Sequence, residues 1–514
     1  MMSSATRACK AANVADYLLE GKNPGQLALV DLGSENTYGE LEAAACDIAR
    51  YLISQGARKG DRAILISENN FFWVAAYLGA LRAGMICVPL SPSINLVELD
   101  YIIQLTEARF GFVQARSMSR IHKLSSLSLV TDAEVPVLPA CTSMRDLGSV
   151  RREAAGCDCA FPDIEPNDLA ALMFTSGTTG QPRGVMVTHG NIMANTESII
   201  QYLELADKDR IMTVLPFHYC FGTSLLHTHL RVGGTLVLDR RFLFPEKVLQ
   251  RMRETECTGF AGVPSHYQIL LRRSTLKTMN FPHLRYVQQA GGHLAPTFLR
   301  ELQEALPATK IFVMYGQTEA TARLSYLPPT LLDRKSGSIG KGIPGVRLQV
   351  LDEGGEPVKP GGQVGEIVAE GPNITRGYWQ ADSETAVSFR NGRLYTGDLG
   401  TIDEDGFIYI VDRAKDFIKC GGKRTSCRQI EETLLEFNGL LEAAVVGMPD
   451  EVLGEAVKAF VVPRDKNASE IETQLRAFCR ERIPWPLVPK EIVVLESIPK
   501  NNSGKVMKSS LKGL

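Results

Sequence analysis

The sequence predicts an α/β protein: a large N-terminal body of parallel-rich sheets with helices on both faces, and a small α+β C-terminal domain. Three observations predict it. Apolar, β-branched strands alternate with helical stretches over most of the chain. Short strands broken by Gly/Pro turns follow over 346–411, which reads as a small β-rich subdomain. After Asp412-Arg413 the chain turns charged and compact, with a strand–helix rhythm. The expected organisation is a body over 1–411, a boundary at 412–415 and a C-terminal domain over 416–514.

At 514 residues the chain is long enough for three or four units at roughly 150 residues each. Hydrophobic residues at 44% and charged residues at 22% exclude disordered, collagenous and disulfide-stapled classes. Lys+Arg 56 against Asp+Glu 58 leaves a formal charge of −2, which argues against a nucleic-acid partner. The 11 cysteines show no spaced framework, and Cys157 and Cys159 lack nearby partners for a zinc site. Reduced thiols in a cytoplasmic protein are expected. Met1 to Glu20 shows no basic stretch followed by an apolar one, so no secretory signal is expected.

Taken in order, Tyr38–Ser54 reads as a helix and Ala63–Ile66 as a strand. Phe71 to Leu90 has membrane-spanning length, but Arg82, Gly84 and Pro89 interrupt it. A charge there costs about 2.5–3.5 kcal/mol in lipid. The expectation is a buried helix over Phe71–Ala83, a turn at Gly84 and a strand over Met85–Val88, with no membrane span. From about 168 to 350, strands are expected at Leu169–Phe174, Ile211–Leu215, Thr235–Leu238, Gly259–Val263, Tyr286–Gln289 and Lys310–Met314. Helical patterns lie between most of them, as in one largely parallel sheet covered on both faces. Asp352-Glu-Gly-Gly and Asp405-Gly mark turns of the β-rich part.

The most informative stretch is Thr175-Ser-Gly-Thr-Thr-Gly-Gln-Pro-Arg-Gly184, between the strand ending at Phe174 and Val185-Met-Val-Thr-His189. Its glycines, hydroxyls and single cation offer free amides and donors to an anion. The spacing is not that of a Walker loop.

This loop resembles the phosphate loop of the adenylate-forming superfamily, which includes acyl- and aryl-CoA ligases, peptide-synthetase adenylation domains and firefly luciferase. Four further segments match that family in order: Tyr315-Gly-Gln-Thr-Glu319, Tyr395-Thr-Gly-Asp398, Asp412-Arg-Ala-Lys-Asp-Phe-Ile-Lys419 and Asn502-Ser-Gly-Lys505. The resemblance implies an acid–thiol ligase using ATP, Mg²⁺ and CoA, monomeric or homodimeric. The implied reaction is attack of a carboxylate on the α-phosphate of ATP, then transfer of the acyl group to a thiol. The alternative acceptor is the phosphopantetheine of a carrier protein. A carboxylate is already ionised at neutral pH, so the site needs cations and donors rather than a general base.

The resemblance also implies roles. Thr175, Ser176, Gly177, Thr178, Thr179, Gly180, Arg183 and Gly184 would cradle the β- and γ-phosphates. Glu319 would hold Mg²⁺ and Thr318 would bond the α-phosphate. Tyr315, with Gly316 and Gln317, would pack on adenine; Asp398 and Arg413 would take the ribose hydroxyls. Lys505 would bridge the substrate carboxylate and the α-phosphate. Lys415 would be the hinge about which the C-terminal domain turns, bringing Lys419 and Gly422 toward the thiol. His218 would gate the acid pocket, lined by Tyr219, Cys220, Phe221, Ala290, Gly291 and Gly292. That lining reads as mainly apolar, suited to an acyl chain or aromatic ring. No Asp lies between Leu215 and Gly222, which disfavours an α-amino acid. Three positions depart from the family pattern: Arg183 stands where Lys is usual, Cys427 where Pro is common and Gln429 where Glu is common.

Overall fold

The segment of membrane-spanning length folds as a helix over Phe71–Arg82, followed by a strand over Ile86–Leu90. Asn70 caps the helix, its side chain accepting from the Trp73 N–H. Every residue from Phe72 to Arg82 is buried, which explains the absence of an amphipathic pattern. Arg82 closes the helix and pairs with Asp16 at 2.7 Å and Glu42 at 2.8 Å. No helix among the described residues is long and apolar enough to cross a membrane.

The computed structural model describes residues 12–118, 127–133, 141–147, 160–176, 181–413, 417–420, 423–464, 471–500 and 506–513, without the side chains of 176, 413, 423, 424 and 509. Four sheets organise them. The largest has nine strands, in the order Lys341–Gly342, Ser325–Leu327, Lys310–Tyr315, Tyr286–Gln289, Gly259–Gly262, Arg210–Thr213, Thr235–Leu238, Leu27–Asp31 and Ser34–Thr37. Its interior pairs are parallel, and antiparallel strands close both edges.

Residues alternate across this sheet as strand geometry requires. Met212, Val237, Phe260 and Val287 pack on one side with Val248, Leu270 and Phe298 of the helices Pro245–Glu254, Pro264–Arg273 and Pro296–Ala305. Ile211, Leu236, Ala261, Tyr286 and Phe312 pack on the other with the helices Phe71–Arg82, His189–Leu203 and Cys220–Val232. That second core continues into a seven-stranded sheet: Cys141–Ser143, Ser128–Thr131, Phe110–Val113, Arg62–Ile66, Ile86–Leu90, Leu169–Ser176 and Pro182–Thr188.

One expectation is corrected here. Leu169–Ser176 does not join the sheet of the strands that follow it; it lies beside Ile86–Leu90 in the seven-stranded sheet, with Ala171 opposite Cys87. Strand existence is written in local apolar runs, but sheet membership is decided by partners distant in sequence.

The region after 346 forms an antiparallel sheet of Arg347–Leu351, Gly365–Glu370, Phe389–Arg390, Arg393–Ile402 and Ile408–Arg413. Its first turn is set by Asp352, whose Oδ1 accepts from the N–H groups of Gly354 at 2.9 Å and Glu356 at 3.0 Å. A last sheet joins Lys423–Ser426, Phe417–Cys420, Gly454–Pro463, Leu440–Asp450 and Glu491–Val494. The helices Cys427–Leu435 and Ile471–Arg482 pack on it.

Contacts tie these C-terminal elements to the body. Arg428 donates to the Ile410 carbonyl at 2.9 Å and to His293 Nδ1 at 2.6 Å, while His293 Nε2 stands 2.6 Å from Glu432. The Ser426 hydroxyl donates to Asp412 at 2.9 Å. The eight cysteines among the described residues are free thiols.

Candidate active site

The strand Lys310–Tyr315 ends at Gly316, where a Cβ would stand 1.9 Å from the Ala322 carbonyl oxygen, so only glycine fits the reversal. The chain then makes a single 3₁₀ turn, Thr318–Ala320. Thr321 follows at φ 66°, a left-handed conformation that strains a β-branched residue by about 1–3 kcal/mol. Buried hydrogen bonds hold it there. Asn373 donates to the carbonyls of Ala320 at 3.2 Å and Arg323 at 2.8 Å, and its own carbonyl accepts from the Thr321 hydroxyl at 2.7 Å. Thr375 gives its N–H and hydroxyl to the Glu319 carbonyl, at 3.0 and 2.9 Å.

The same bracing segment carries Tyr378, whose hydroxyl donates to Glu319 Oε1 at 2.8 Å. Burial and the Glu319 charge push the phenol's pKa up, so it remains a donor at neutral pH. Around Tyr378 the backbone clips onto the phosphate hairpin: the Met186 N–H donates to the Gly377 carbonyl at 2.9 Å and the Trp379 N–H to the Gly184 carbonyl at 2.8 Å. Arg183 lies opposite Thr175 in that hairpin, with its guanidinium 5.6 Å from the Tyr378 ring centroid. Arg183 and Glu319 are therefore gathered on one tyrosine. Gly177, Thr178, Thr179 and Gly180 fall outside the described residues, as does the side chain of Ser176.

At the residues expected to meet the nucleotide, the Tyr315 hydroxyl donates to Asp398 Oδ2 at 2.6 Å, and both residues are buried. Asp398 is the register partner of Arg413, so the strand pair sets the two expected ribose residues opposite each other. Among the described residues no group of three or more His, Cys, Asp or Glu side chains could hold a metal by itself. Glu319, with one oxygen bonded to Tyr378, fits a Mg²⁺ that would take most of its oxygens from phosphates and water.

On the other side of the turn, the Thr318 hydroxyl lies 3.4 Å from Cys220 Sγ, at the start of the helix Cys220–Val232. The preceding loop is clamped by Asn69, which donates to the Leu215 carbonyl and accepts from the Phe217 N–H, both at 2.8 Å. His218 is buried, and burial lowers its pKa to about 4, so the imidazole is neutral. Its Nε2 has no hydrogen-bond partner among the described residues. Its ring leans on Tyr219, centroids 4.4 Å apart. Phe221 packs under a buried guanidinium, that of Arg323, at 4.0 Å.

Ala290, Gly291 and Gly292 continue the strand Tyr286–Gln289, and the Gly292 carbonyl accepts from Gln289 Nε2 at 2.7 Å. Gln317 is half-buried beside Thr318. Lys419 is exposed on the C-terminal sheet, its N–H donating to Glu455 at 2.6 Å, and no described contact joins it to the Thr318–Glu319 turn. Lys415, Gly422 and Lys505 lie outside the described residues.

Sequence reasoning missed Asn69, Asn373, Tyr378 and Arg323. No local signal marked Arg323 as buried, although it stands only four positions beyond Glu319. None existed for Asn69, which precedes the loop it clamps by about 150 residues.

Residues 20–379 match the AMP-binding enzyme family and residues 429–505 the AMP-binding enzyme C-terminal domain. The chain belongs to the AMP-binding enzymes, as an AMP-forming acid–thiol ligase. A long-chain-fatty-acid–CoA ligase of Bacillus subtilis is 30% identical, over 95% of this chain and 91% of that one. A feruloyl-CoA synthase of Amycolatopsis is 31% identical, over 95% and 96%. The Bacillus subtilis o-succinylbenzoate CoA synthetase, solved with its acyl-adenylate, superposes with a TM-score of 0.82 at 27% identity, covering 97% of this chain and 98% of that one.

Proposed function

We propose that the chain activates a carboxylic acid as its acyl-adenylate and transfers the acyl group to CoA. A carboxylate oxygen attacks the α-phosphorus of ATP and the bond to pyrophosphate breaks; the CoA sulfur then attacks the acyl carbon and AMP leaves. The observation that carries this reading is the braced turn at Thr318–Glu319. Its hydroxyl faces the acid-pocket helix through Cys220, and its carboxylate faces the phosphate hairpin through Tyr378. Two anions that repel in water would meet across that turn, held by fixed donors.

In this reading Arg183 and the hairpin steady the β- and γ-phosphates, and Asp398 with Arg413 receives the ribose. Tyr315 bounds the adenine site, and Glu319 presents an oxygen to Mg²⁺, which neutralises charge on the phosphates. His218, neutral and with one ring nitrogen unpartnered among the described residues, is available to the acid's carboxylate or its first carbons. Lys505 carries the bridging charge during adenylation. The segment 412–415 acts as the boundary about which 416–514 turns, so that Lys419 and Gly422 serve thiol transfer.

Pyrophosphate release over a panel of acids, with and without CoA, tests it. Acid-dependent release followed by CoA-dependent thioester supports the reading. Acyl-adenylate that moves only to a holo-carrier protein overturns CoA as acceptor, and no acid-dependent release overturns the whole.

A further inference from the structure

Arg323 is the most deeply buried cation near the acid pocket, at 1% exposure. Its guanidinium stacks on Phe221 at 4.0 Å, an arrangement that uses the face of the ion and leaves its N–H edge available. Nε and Nη2 find no acceptor among the described residues. Its interacting neighbours are Tyr202, which hydrogen-bonds it, and Cys220, both neutral at pH 7, and no described carboxylate pairs with it. Burial lowers the pKa of the guanidinium, but an arginine stays charged. A buried cation without a counter-ion is expensive to keep, and the neutral neighbours do not compensate it.

A second orphan shares this core. Gln288 is 1% exposed, and neither its amide oxygen nor its nitrogen has a partner among the described residues. It stands in register with Ala261 and Phe312, on the sheet face covered by the helices His189–Leu203 and Cys220–Val232. Phe312 lies 6.0 Å, ring to ring, from the same Tyr202 that neighbours Arg323. Cys220 joins this region to the reacting centre, because its thiol touches Thr318 while its helix neighbour Phe221 carries the guanidinium. Arg323 therefore sits behind Phe221, next to the contact of Cys220 with Thr318, while Gln288 faces the same core.

We propose that the acid is a short dicarboxylic acid: one carboxylate is adenylated at Thr318 and the other is received by Arg323, with Gln288 assisting. Arginine's fork matches the two oxygens of a carboxylate. A monocarboxylic acid would leave the charge buried and unanswered, so the site selects against it. The proposal rests on the acid–CoA ligase reading and names its substrate class.

The test compares malonate, succinate, glutarate and adipate with their methyl half-esters and with monocarboxylic acids of equal length, by pyrophosphate release with CoA and ATP present. The wild-type enzyme is expected to favour one dicarboxylate over its half-ester by on the order of a hundredfold in kcat/KM. Arg323→Met should abolish that preference while retaining activity on the half-ester, and Arg323→Lys should restore part of it. A melting curve on each variant separates loss of fold from loss of recognition, and the wild-type preference stands without any variant. Monocarboxylic acids or half-esters activated as well as dicarboxylates would overturn the distal-anion site and leave the ligase reading intact. No release with any acid would overturn both.

Discussion

Replacing Tyr378 by phenylalanine removes one hydroxyl from the braced turn and leaves the ring in place. The ring's contact with Phe389, centroids 5.8 Å apart, and the Arg183 guanidinium over its face would both persist. What is lost is a hydrogen bond of 2.8 Å to an ionised carboxylate, Glu319. Such bonds contribute about 1.5–3 kcal/mol. If that energy serves to fix the carboxylate toward the metal and phosphates, kcat/KM for ATP falls by about ten- to a hundredfold, at about 1.4 kcal/mol per factor of ten. The loss should concentrate in the magnesium dependence. Pyrophosphate release titrated with Mg²⁺ at saturating acid should show the half-saturating concentration raised in Tyr378→Phe, while the melting temperature changes little. An unchanged magnesium titration, or a tighter one, would refute the argument, since it would mean the phenol merely occupies an oxygen that the metal wants.

Lys505→Ala should lower acyl-adenylate formation by on the order of 10²–10³ and spare thiol transfer from supplied acyl-adenylate; wild-type pyrophosphate exchange in that variant would remove Lys505 from adenylation. Asn69→Ala strips two buried backbone groups of their partner and should cost about 2–4 kcal/mol, read as a lower denaturation midpoint at unchanged slope; a midpoint equal to wild type would refute the clamp. Burial lowers His189, His218 and His229 to about 4 and His227 to about 3, below the ordinary 6.5. The unfolded chain thus binds more protons in that window, so stability is full above about pH 6.5 and falls as the pH drops. Each histidine costs about 2 kcal/mol at pH 5. The melting temperature should drop by more than about 5 °C between pH 7 and 5, and a constant value would contradict the burial.

Much of the fold was legible because its strands are fully buried and read as apolar runs. Thr235–Leu238 and Tyr286–Gln289 begin and end where the sequence places them. The helix over Phe71–Arg82 was legible for a different reason: Arg82, Gly84 and Pro89 argue against lipid more strongly than the apolar run argues for it. Pairing was not legible. Leu169–Ser176 looks the same whether it joins one sheet or the other, and the choice rests on Cys87, distant in sequence. In the candidate site, the residues expected to meet the nucleotide sit in short motifs and could be named from them. Those that hold the motifs in place could not, because Asn373 and Tyr378 act through backbone carbonyls and one carboxylate far away in the chain. Arg323 escaped because a charged residue in a loop is ordinarily solvated, and nothing local reports that this one is enclosed.

The stretch expected to line the acid pocket, Ala290-Gly-Gly292, does not stop there. After Gly292 comes His293, whose two ring nitrogens are spoken for by Arg428 and Glu432 on the first helix of the C-terminal domain. If the acid binds there, as proposed, its occupancy and the seating of this helix would share one short stretch of backbone. Thermodynamic reciprocity then applies: whatever factor the bound acid contributes to seating the domain, the seated domain must return in affinity for the acid. Substitutions at Arg428 or Glu432, remote from any substrate atom, would accordingly register as changes in KM for the acid.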